Sequence, residues 1–316
     1  MKDQPQEIEG IEVTNNIKYL GLTIENKRKY FKAQRGKTLE KAQKLANITY
    51  PIIAKSSNKL MVGKTYWKNV AMPTILYGSN IINYTETELE KLQRIENGVY
   101  RQILGAPKYA TNSTFRGEVG ASLIKRRIIT GRIQYKMKIL RGNNELLKKI
   151  LELMTERNMR WVKETNRYME LVGIRDRELI EMSKEALKER TKKWDTKLWE
   201  EEIGNKSSRK IYREWKKEII EEKVYDNRLF SVILYNARTN CLPLADRKRF
   251  VRESTECKLC GETEEDLVHF ILYCPAFREE RINCSALQQP YIENTDHIIG
   301  NFLFSEHEIE TNKKVL

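Results

Sequence analysis

Three cysteines and one histidine near the C-terminal end form the pattern with the most specific chemistry in this sequence of 316 residues. Cys257, Cys260, His269 and Cys274 follow one another with two, eight and four residues between them. Four thiolate and imidazole ligands suit tetrahedral Zn²⁺, and a Cys3His set leaves no open position for a catalytic water. We therefore predict one structural zinc ion. A buried cysteine cluster without metal is the alternative, and a disulfide is disfavoured because the sequence shows no export signal.

The residues between these ligands predict how the chain brings them together. Gly261 allows the positive φ of a tight turn directly after the second cysteine, and Thr263 is predicted to cap the helix that follows. On a regular α-helix, His269 and Cys274 would point about 140° apart. Pro275 disfavours the helical region for the residue before it, so the helix should unwind before Cys274. The remaining cysteines and histidines are predicted not to bind the metal: Cys241, Cys284, His297 and His307. Among them, Cys284 is the alternative fourth ligand.

The sequence lacks the clustered aspartates that often hold the metal ions of two-metal phosphoryl transfer. Its seven aspartates lie at least 19 residues apart, and its three histidines all fall within the last fifty residues. Neither a metal-dependent polymerase site nor a serine or cysteine triad is therefore indicated. We expect a protein that is no enzyme on its own. A nuclease or polymerase assembled from dispersed glutamates is the least favoured alternative.

The positive charge is concentrated in the N-terminal four fifths of the chain. The whole chain has 58 basic and 44 acidic side chains, whereas residues 257–316 have five and eleven, so the first 256 residues have a net charge of +20. Residues 26–85 hold twelve cations and one acid, and residues 119–144 hold seven cations and no acid. Such segments repel themselves unless a polyanion neutralises them, so we predict RNA, an RNA–DNA hybrid or DNA as partner. The alternatives are a solvated lysine-rich surface and, less favoured, a membrane-surface helix.

The composition predicts a mostly α-helical fold with a short N-terminal β-hairpin and a small C-terminal zinc knuckle. Glycine and proline number only 15 and 7, below their usual abundance. The predicted elements are a hairpin over 11–24 with its turn at Asn15–Asn16, basic helices over 26–68 broken near Pro51 and Gly63, a short apolar helix from Pro73, a helix over 86–104 capped by Thr85, a helix over 122–141 capped by Ser122, and long charged helices over 145–172 and 178–222.

The helix predicted over 122–141 carries two apolar stripes with cations between them. Lys125, Arg132 and Lys136 share one narrow arc of the helical wheel. A helix that packs between two neighbours would bury both stripes and leave this basic ridge facing outward. We therefore predict that the ridge contacts nucleic acid, with local capping of backbone carbonyls as the alternative.

Several segments together resemble the C-terminal part of reverse transcriptases from non-long-terminal-repeat (LINE-type) retrotransposons. The stretch KYLGLTI (18–24) resembles their primer-grip motif, and PTILYG (73–78) and RQILGAPKYATNSTFRGEVG (101–120) are similar to their thumb and linker segments. Arg238-Thr239-Asn240, Leu242-Pro243-Leu244 and CKLCGETEEDLVHFILYCPAFREER (257–281) resemble the stretch that leads into and forms their zinc-binding module. The resemblance runs from about residue 11 to residue 281.

The resemblance implies a division of labour along the chain. It implies that Tyr19, Leu20 and Gly21 hold the primer end, that basic helices grip template and primer, and that the zinc knuckle binds nucleic acid or braces the linker. The family's paired aspartates of the catalytic palm have no counterpart in this sequence. The residues predicted to contact nucleic acid are Tyr19, Leu20, Gly21, Lys27, Arg28, Lys29, Lys32, Arg35, Lys125, Arg132 and Lys136.

We accordingly predict a nucleic-acid-binding C-terminal segment of a retrotransposon RNA-directed DNA polymerase that does not itself catalyse synthesis. The catalytic palm of a parent polyprotein would be a further partner. The alternative is a zinc-stapled helical protein-interaction module, a co-opted remnant of such an element.

The expected location is intracellular, nuclear or cytoplasmic, without membrane insertion, because no apolar run reaches the roughly 18 residues of a span. The predicted parts are a palm and primer-grip remnant (1–25), a basic thumb-like region (26–144), a helical linker (145–245), the zinc-binding module (246–284) and a tail (285–316).

Overall fold

The computed structural model describes residues 7–8, 11–12, 14–25, 31–205, 209–225, 229–245, 254–261, 264–284, 287 and 294–305. Helices dominate these residues, and short antiparallel strands occur only at the N-terminal end of the described part. The prediction of a mostly α fold with an N-terminal hairpin is therefore confirmed. Lys27, Arg28 and Lys29, which were predicted to contact nucleic acid, lie outside the described residues.

The elements follow one another along the chain with short connections. The strands are β1 (Glu7–Ile8), β2 (Ile11–Glu12), β3 (Asn16–Tyr19) and β4 (Leu22–Glu25). The helices are α1 (Lys32–Lys55), α2 (Lys59–Tyr66), α3 (Met72–Ile75), α4 (Glu86–Leu104), α5 (Asn112–Val119), α6 (Ile124–Arg141), α7 (Glu145–Glu156), α8 (Arg160–Leu171), α9 (Lys184–Gly204), α10 (Lys210–Trp215), α11 (Leu229–Arg238), α12 (Arg278–Ile282) and α13 (Thr295–Phe304), with π-helical turns at Trp67–Ala71 and His269–Tyr273.

The chain forms two compact units, neither of which is a continuous stretch of sequence. The first unit consists of Met1–Thr49, Thr65–Glu96 and Ser122–Asp195, and the second of Tyr50–Lys64, Asn97–Ala121 and Thr196–Leu316. Helices α1, α4 and α9 each supply residues to both units. The five consecutive parts predicted from the sequence do not coincide with these units, and as functional divisions they stay a prediction.

The N-terminal hairpin has a different turn from the one predicted. Asn16 already belongs to β3 and pairs with Glu25 of β4, so the predicted turn at Asn15–Asn16 is wrong. The turn is formed by Leu20 and Gly21, whose φ angles are 45° and 80°. Two positive φ values match the right-handed twist of the strands, and glycine adopts one of them without strain.

Helix α1 continues through the position where a break was predicted. Pro51 lies inside α1, which ends only at Lys55. Ala46 and Ile53 are buried on either side of Pro51, so packing outweighs the backbone hydrogen bond that proline removes. Gly63 also lies inside a helix, α2, where an added Cβ would come within 2.8 Å of Ile53 and Ile103 side-chain atoms. Gly63 thus allows close packing and does not end a helix.

Helices α4 and α6 begin with different kinds of cap. At the start of α4, the Glu88 amide donates to Thr85 Oγ1 at 3.3 Å and the Thr85 amide donates to Glu88 Oε2 at 2.8 Å, so the predicted Thr85 cap is confirmed. The predicted Ser122 cap of α6 is wrong. The first amides of α6 are instead satisfied from other helices, because the Leu123 and Ile124 amides donate to the side chains of Asp195 and Gln93.

Each unit has its own core. In the first unit, apolar residues of α6 pack on α8 and the residues after it, and this cluster contains Ile129, Ile133, Met137, Tyr168, Met169, Val172, Ile174, Leu179 and Leu187. In the second unit, Trp199, Ile203 and Tyr212 form an apolar cluster beside Phe304. The Trp199 indole donates to the Ser113 carbonyl at 2.8 Å, which satisfies its polar atom within the core.

A buried charge network joins four segments of the second unit. Arg238 Nη1 donates to Glu118 at 3.2 Å and to Glu222 at 3.1 Å, and its Nε donates to the Leu303 carbonyl at 2.8 Å. The side chains of Arg238 and Glu118 are both fully buried. Burial opposes the charge of Arg238, yet Tyr225, Glu118 and Glu222 raise its pKa above the ordinary value. The guanidinium therefore stays charged and holds α5, α11 and α13 together.

Removing this cation should destabilise the second unit strongly. Arg238→Ala leaves Glu118 buried without its partner, so we expect the free energy of unfolding to fall by about 3–5 kcal/mol in urea titrations followed by tryptophan fluorescence. The control is Arg94→Ala, because Arg94 is 73% exposed and pairs with Glu90 at 3.4 Å on the surface. We expect that change to stay within about 0.5 kcal/mol. Equal effects of the two substitutions would contradict the role given to Arg238.

Candidate functional site

The four residues predicted as metal ligands lie together in the second unit. One ligand atom from each of Cys257, Cys260, His269 and Cys274 lies within 4.8 Å of all the others. The Cys257 and Cys274 sulfurs are 3.8 Å apart, and the Cys260 sulfur is 3.4 Å from His269 Nε2. Ligand bonds of about 2.3 Å to sulfur and 2.0–2.1 Å to nitrogen would separate tetrahedral ligands by roughly 3.5–3.8 Å. The donor set therefore fits a tetrahedral metal ion.

A tight turn presents the first two cysteines. The Gly261 amide donates to the Cys257 carbonyl at 2.7 Å, and Gly261 has the predicted positive φ of 72°. Burial raises the pKa of the Cys257 thiol, but hydrogen bonds from the backbone amides of Cys260 and Leu259 outweigh that effect and lower it. Amides that point at a sulfur stabilise its thiolate form, which is the form that binds metal ions.

A π-helical turn brings the other two ligands to the same side. The Cys274 amide donates to the His269 carbonyl at 2.7 Å, five residues back, so the two side chains lie one turn apart on a widened helix. Cys274 then leaves the helix with ψ of 119°, as the following Pro275 demands. The predicted departure from α-helical geometry is confirmed, in the form of a widened turn. The helix is capped by Asp266, whose Oδ1 accepts from the His269 amide at 2.7 Å; Thr263, the predicted cap, lies outside the described residues.

Two of the three ligand cysteines are buried. Cys257 and Cys274 are 2% and 0% exposed. Burial raises the pKa of the Cys274 thiol to about 11, so a metal ion that binds there must displace its proton. Arg281 donates to the Cys274 carbonyl at 2.6 Å and fixes the backbone at this ligand. Cys284 is buried as well, but it is not among the four converging ligands.

The sequence analysis missed Glu265 as a residue that positions the metal centre. Its carboxylate accepts the Ala245 amide at 2.8 Å through Oε2, and its Oε1 lies 3.7 Å from the Cys257 sulfur. Its own amide donates to the Thr255 carbonyl at 2.8 Å. Glu265 thus joins the segment after α11 to the first ligand. In the sequence it is one of three consecutive acids, and no local pattern distinguishes the buried one.

The basic ridge predicted on α6 does not face outward. Arg132 is 0% exposed and Lys136 is 5% exposed, so the prediction of an exposed ridge is wrong. Lys136 Nζ donates to Asp176 at 2.5 Å, and Arg132 Nη2 donates to the Asn83 side chain. Most of both apolar stripes of α6 is buried, and Arg132 and Lys136 between them are buried with them. Buried cations then require partners, which other segments supply.

Two further residues predicted to contact nucleic acid form ion pairs with acids of the same unit. Lys125 is only partly exposed and pairs with Glu86 at 2.8 Å. Arg35 is buried and pairs with Glu88 at 2.9 Å. The acid-free stretches of the sequence therefore do not lack acids in space. Ion pairs within the fold account for these cations, and we assign them structural roles.

The opposite face of α1 presents lysines that have no such partner. Lys37, Lys41 and Lys44 are exposed and follow one another at helical spacing, so they share one face over about 10 Å, on which Glu40 is the one acid of α1. Lys32 is also exposed, at the start of the helix. None of these four lysines forms an ion pair with a residue that the structure describes. We call Lys37, Lys41 and Lys44 the α1 lysine stripe.

The hairpin is attached beside this stripe. The Ala33 amide donates to Glu25, the Thr23 amide donates to Gln34, and Lys37 Nζ donates to Thr23 Oγ1, each at 2.8 or 2.9 Å. Lys18 pairs with Thr23 across the hairpin, which places both side chains on the same side of it. The hairpin and the stripe therefore form one cationic surface in the first unit.

The predicted primer-grip residues lie exposed at the tip of the hairpin. Tyr19 and Leu20 are 62% and 73% exposed. The Tyr77 hydroxyl donates to the Leu20 carbonyl at 2.7 Å, and a Cβ on Gly21 would lie 3.4 Å from the Tyr77 ring. The turn is therefore braced from behind, while its outer side is free to contact another molecule.

Comparison with known proteins identifies no relative: no family model, curated protein or solved structure matches the chain. Among the described residues, no helix is both long enough and apolar enough to cross a membrane.

Substitution of Glu265 tests its role at the metal centre. Glu265→Ala removes the bond to Ala245, and loss of such a supporting group commonly lowers metal affinity about 10–100-fold. Glu265→Gln keeps an acceptor for Ala245 and can donate to the Cys257 sulfur, so we expect it to bind metal as tightly as the unmodified protein. Competition with a chromophoric chelator measures both affinities. Glu279→Ala, at an exposed position of α12, is the control; a Glu265→Ala variant indistinguishable from it would contradict this role.

Proposed function

We propose that this chain is the nucleic-acid-binding C-terminal part of a LINE-type reverse transcriptase. In this role it grips template and primer without catalysing synthesis itself, and one structural zinc ion stabilises its C-terminal module. RNA–DNA hybrid, RNA or DNA would be the partner, together with the palm of a parent polyprotein.

The observation that carries the proposal is the α1 lysine stripe beside the exposed hairpin tip. Lys37, Lys41 and Lys44 have no acidic partner among the described residues, whereas Arg35, on the buried face of the same helix, is paired. Exposed lysines that repel one another gain most from a row of phosphates, because binding releases the counterions condensed on the nucleic acid. Tyr19 and Leu20 add exposed apolar surface on the hairpin that Lys37 contacts through Thr23, where a sugar or base can pack.

Contacts between the segments that carry the resemblance also support the proposal. In the first unit, Tyr77 of PTILYG contacts the turn of KYLGLTI. In the second unit, Glu118 of the 101–120 run pairs with Arg238, and Thr114 Oγ1 lies 2.7 Å from the Tyr235 hydroxyl. Because these segments pack against each other, loss of one would disturb the others. Their packing is therefore what we expect if the chain inherited them together from such a reverse transcriptase.

The donor chemistry favours zinc as the metal. Three thiolates and one imidazole in tetrahedral arrangement are a soft ligand set that suits Zn²⁺ and not the oxygen-seeking Mg²⁺. Because all four positions come from the protein, the ion would act by joining the turn at Cys257 to the widened helix at His269. Its contribution would be folding energy of the module.

Metal analysis tests the zinc assignment. Protein purified without chelator should contain about one equivalent of zinc, and Co²⁺ exchanged into it should give the intense visible absorption of a tetrahedral thiolate site. Cys260→Ser should lose most of the metal, whereas Cys241→Ser, a buried cysteine outside the group, should retain it. Full metal content in Cys260→Ser would contradict the ligand assignment.

Salt titration of nucleic-acid binding tests the lysine stripe. Binding to duplex should weaken with salt by about 0.9 log units per phosphate contact for each tenfold rise in salt concentration. Replacing Lys37, Lys41 and Lys44 together by glutamine should therefore reduce the log–log slope by about 2–3 units. Filter binding or anisotropy over a salt series measures it.

The matched control replaces three exposed lysines elsewhere in the first unit, Lys163, Lys184 and Lys188, and so makes the same change in net charge. Its slope should change by less than about one unit. Equal effects of the two triple variants would contradict the stripe as the contact surface. Affinity independent of salt, or no binding at low salt, would contradict nucleic-acid binding altogether.

A further inference from the structure

A second feature of the first unit is a cavity that the nucleic-acid proposal does not use. It has a volume of about 370 Å³ and lies among α1, α6, α7, α8 and the segment before α4. This volume falls within the about 300–1,000 Å³ of typical small-molecule pockets. Most of its wall is apolar, including Phe31, Tyr135, Ile139, Ile150, Leu151 and Trp161.

The polar groups of the wall are cationic or neutral. Arg35, Arg160 and Asn83 line the cavity, and no acid does so among the described residues. Arg35 is held by Glu88 at 2.9 Å. Arg160 is exposed and forms no ion pair within the part of the chain that the structure describes. The charge available to an occupant is therefore positive.

Arg132 adds a buried cation directly behind this wall. It contacts two lining residues, donating to Asn83 through Nη2 and placing Cζ 5.5 Å from the ring centroid of Trp161. Its Nε and Nη1 are buried and have no hydrogen-bond partner among the described protein groups. Burial, with a smaller contribution from the charge of Arg160, lowers the pKa of Arg132 to about 10 against the opposing effects of Tyr168 and Glu164. Glu164 itself is held by Arg167 at 2.6 Å.

These observations select the chemistry of an occupant. An anion at the polar part of the wall gains charge-assisted hydrogen bonds from Arg160 and the favourable charge of Arg132 behind Asn83. The rest of the wall can satisfy only apolar atoms. A nucleobase carries polar groups around most of its edge, and much of that edge would be buried against isoleucine, leucine and methionine, which is unfavourable. An apolar chain with a single anionic end satisfies both parts of the wall.

We propose that this cavity binds an elongated apolar molecule that ends in a carboxylate, with the carboxylate toward Arg160 and Asn83 and the chain along α7. Leu147 and Ile150 of α7 line the cavity and are 38% and 42% exposed. The apolar chain of the bound molecule would cover these two side chains.

Decanoate is the probe, and titration calorimetry on the full chain measures its affinity. Decanoate should bind about 10–100-fold more tightly than decanol and than decyltrimethylammonium, which share the chain but lack the anion. Arg160→Gln should remove most of that difference while leaving decanol binding unchanged. Arg175→Gln, a 71% exposed arginine of the same unit, is the control and should bind decanoate normally.

The position of binding is tested separately. Ile150→Trp at this partly exposed position should fill the cavity and abolish decanoate binding, with the fold checked by circular dichroism. In protein labelled with ¹⁵N-tryptophan, decanoate should shift the indole signal of Trp161, whose Nε1 donates to the Asn80 carbonyl at 2.9 Å. Absence of binding below the micelle concentration, equal binding of decyltrimethylammonium, an Ile150→Trp variant that binds normally, or tighter binding of a nucleoside monophosphate at Trp161 would each overturn the proposal.

Discussion

Buried cations determine much of this structure, because each must find an oxygen partner before its helix can pack. Arg238 is held by Glu118 and Glu222, Lys136 by Asp176, and Arg35 by Glu88. The partners come from other segments, so each pair fixes how two or more elements meet. Removing water from a charge costs several kcal/mol, and only such pairing offsets it. The pairs therefore act as constraints on packing within each unit, more than as a source of stability.

The same constraint separates structural cations from those available for binding. Once the inward-facing arginines and lysines are paired, the α1 lysine stripe remains exposed beside the hairpin tip. A protein of high positive charge does not by itself present a binding surface; it presents one where several cations stay exposed, share a face and are not held in ion pairs. The metal-ligand group lies in the other unit, which is where the acidic C-terminal segment is also found. The proposed phosphate contacts and the metal-ligand group therefore belong to different units.

Local signals predicted the local features well. The metal-ligand group was found from cysteine and histidine spacing, and the start of α4 from Thr85 and the acids that follow, because in both cases the interacting groups lie close in sequence.

Ion pairs and hydrogen bonds between residues far apart in sequence were not predictable in this way. The partners of Lys125, Lys136 and Arg132 lie 39, 40 and 49 residues away, so α6 read alone suggested an exposed ridge. The hairpin turn was misplaced because Leu20 adopts a positive φ, for which leucine carries no signal. Glu265 was missed because its positioning role depends on a hydrogen bond from the amide of Ala245, twenty residues earlier.

Lysine reactivity in the presence of nucleic acid tests the central claim most directly. Full-length protein, alone or saturated with an RNA–DNA hybrid, is acetylated briefly with a water-soluble ester, and modification at each lysine is quantified by mass spectrometry. Strong protection of Lys37, Lys41 and Lys44 by the hybrid, with Lys163, Lys184 and Lys188 unchanged, is the result expected from the exposed stripe. Uniform protection of all six lysines, or protection confined to the second set, would contradict it.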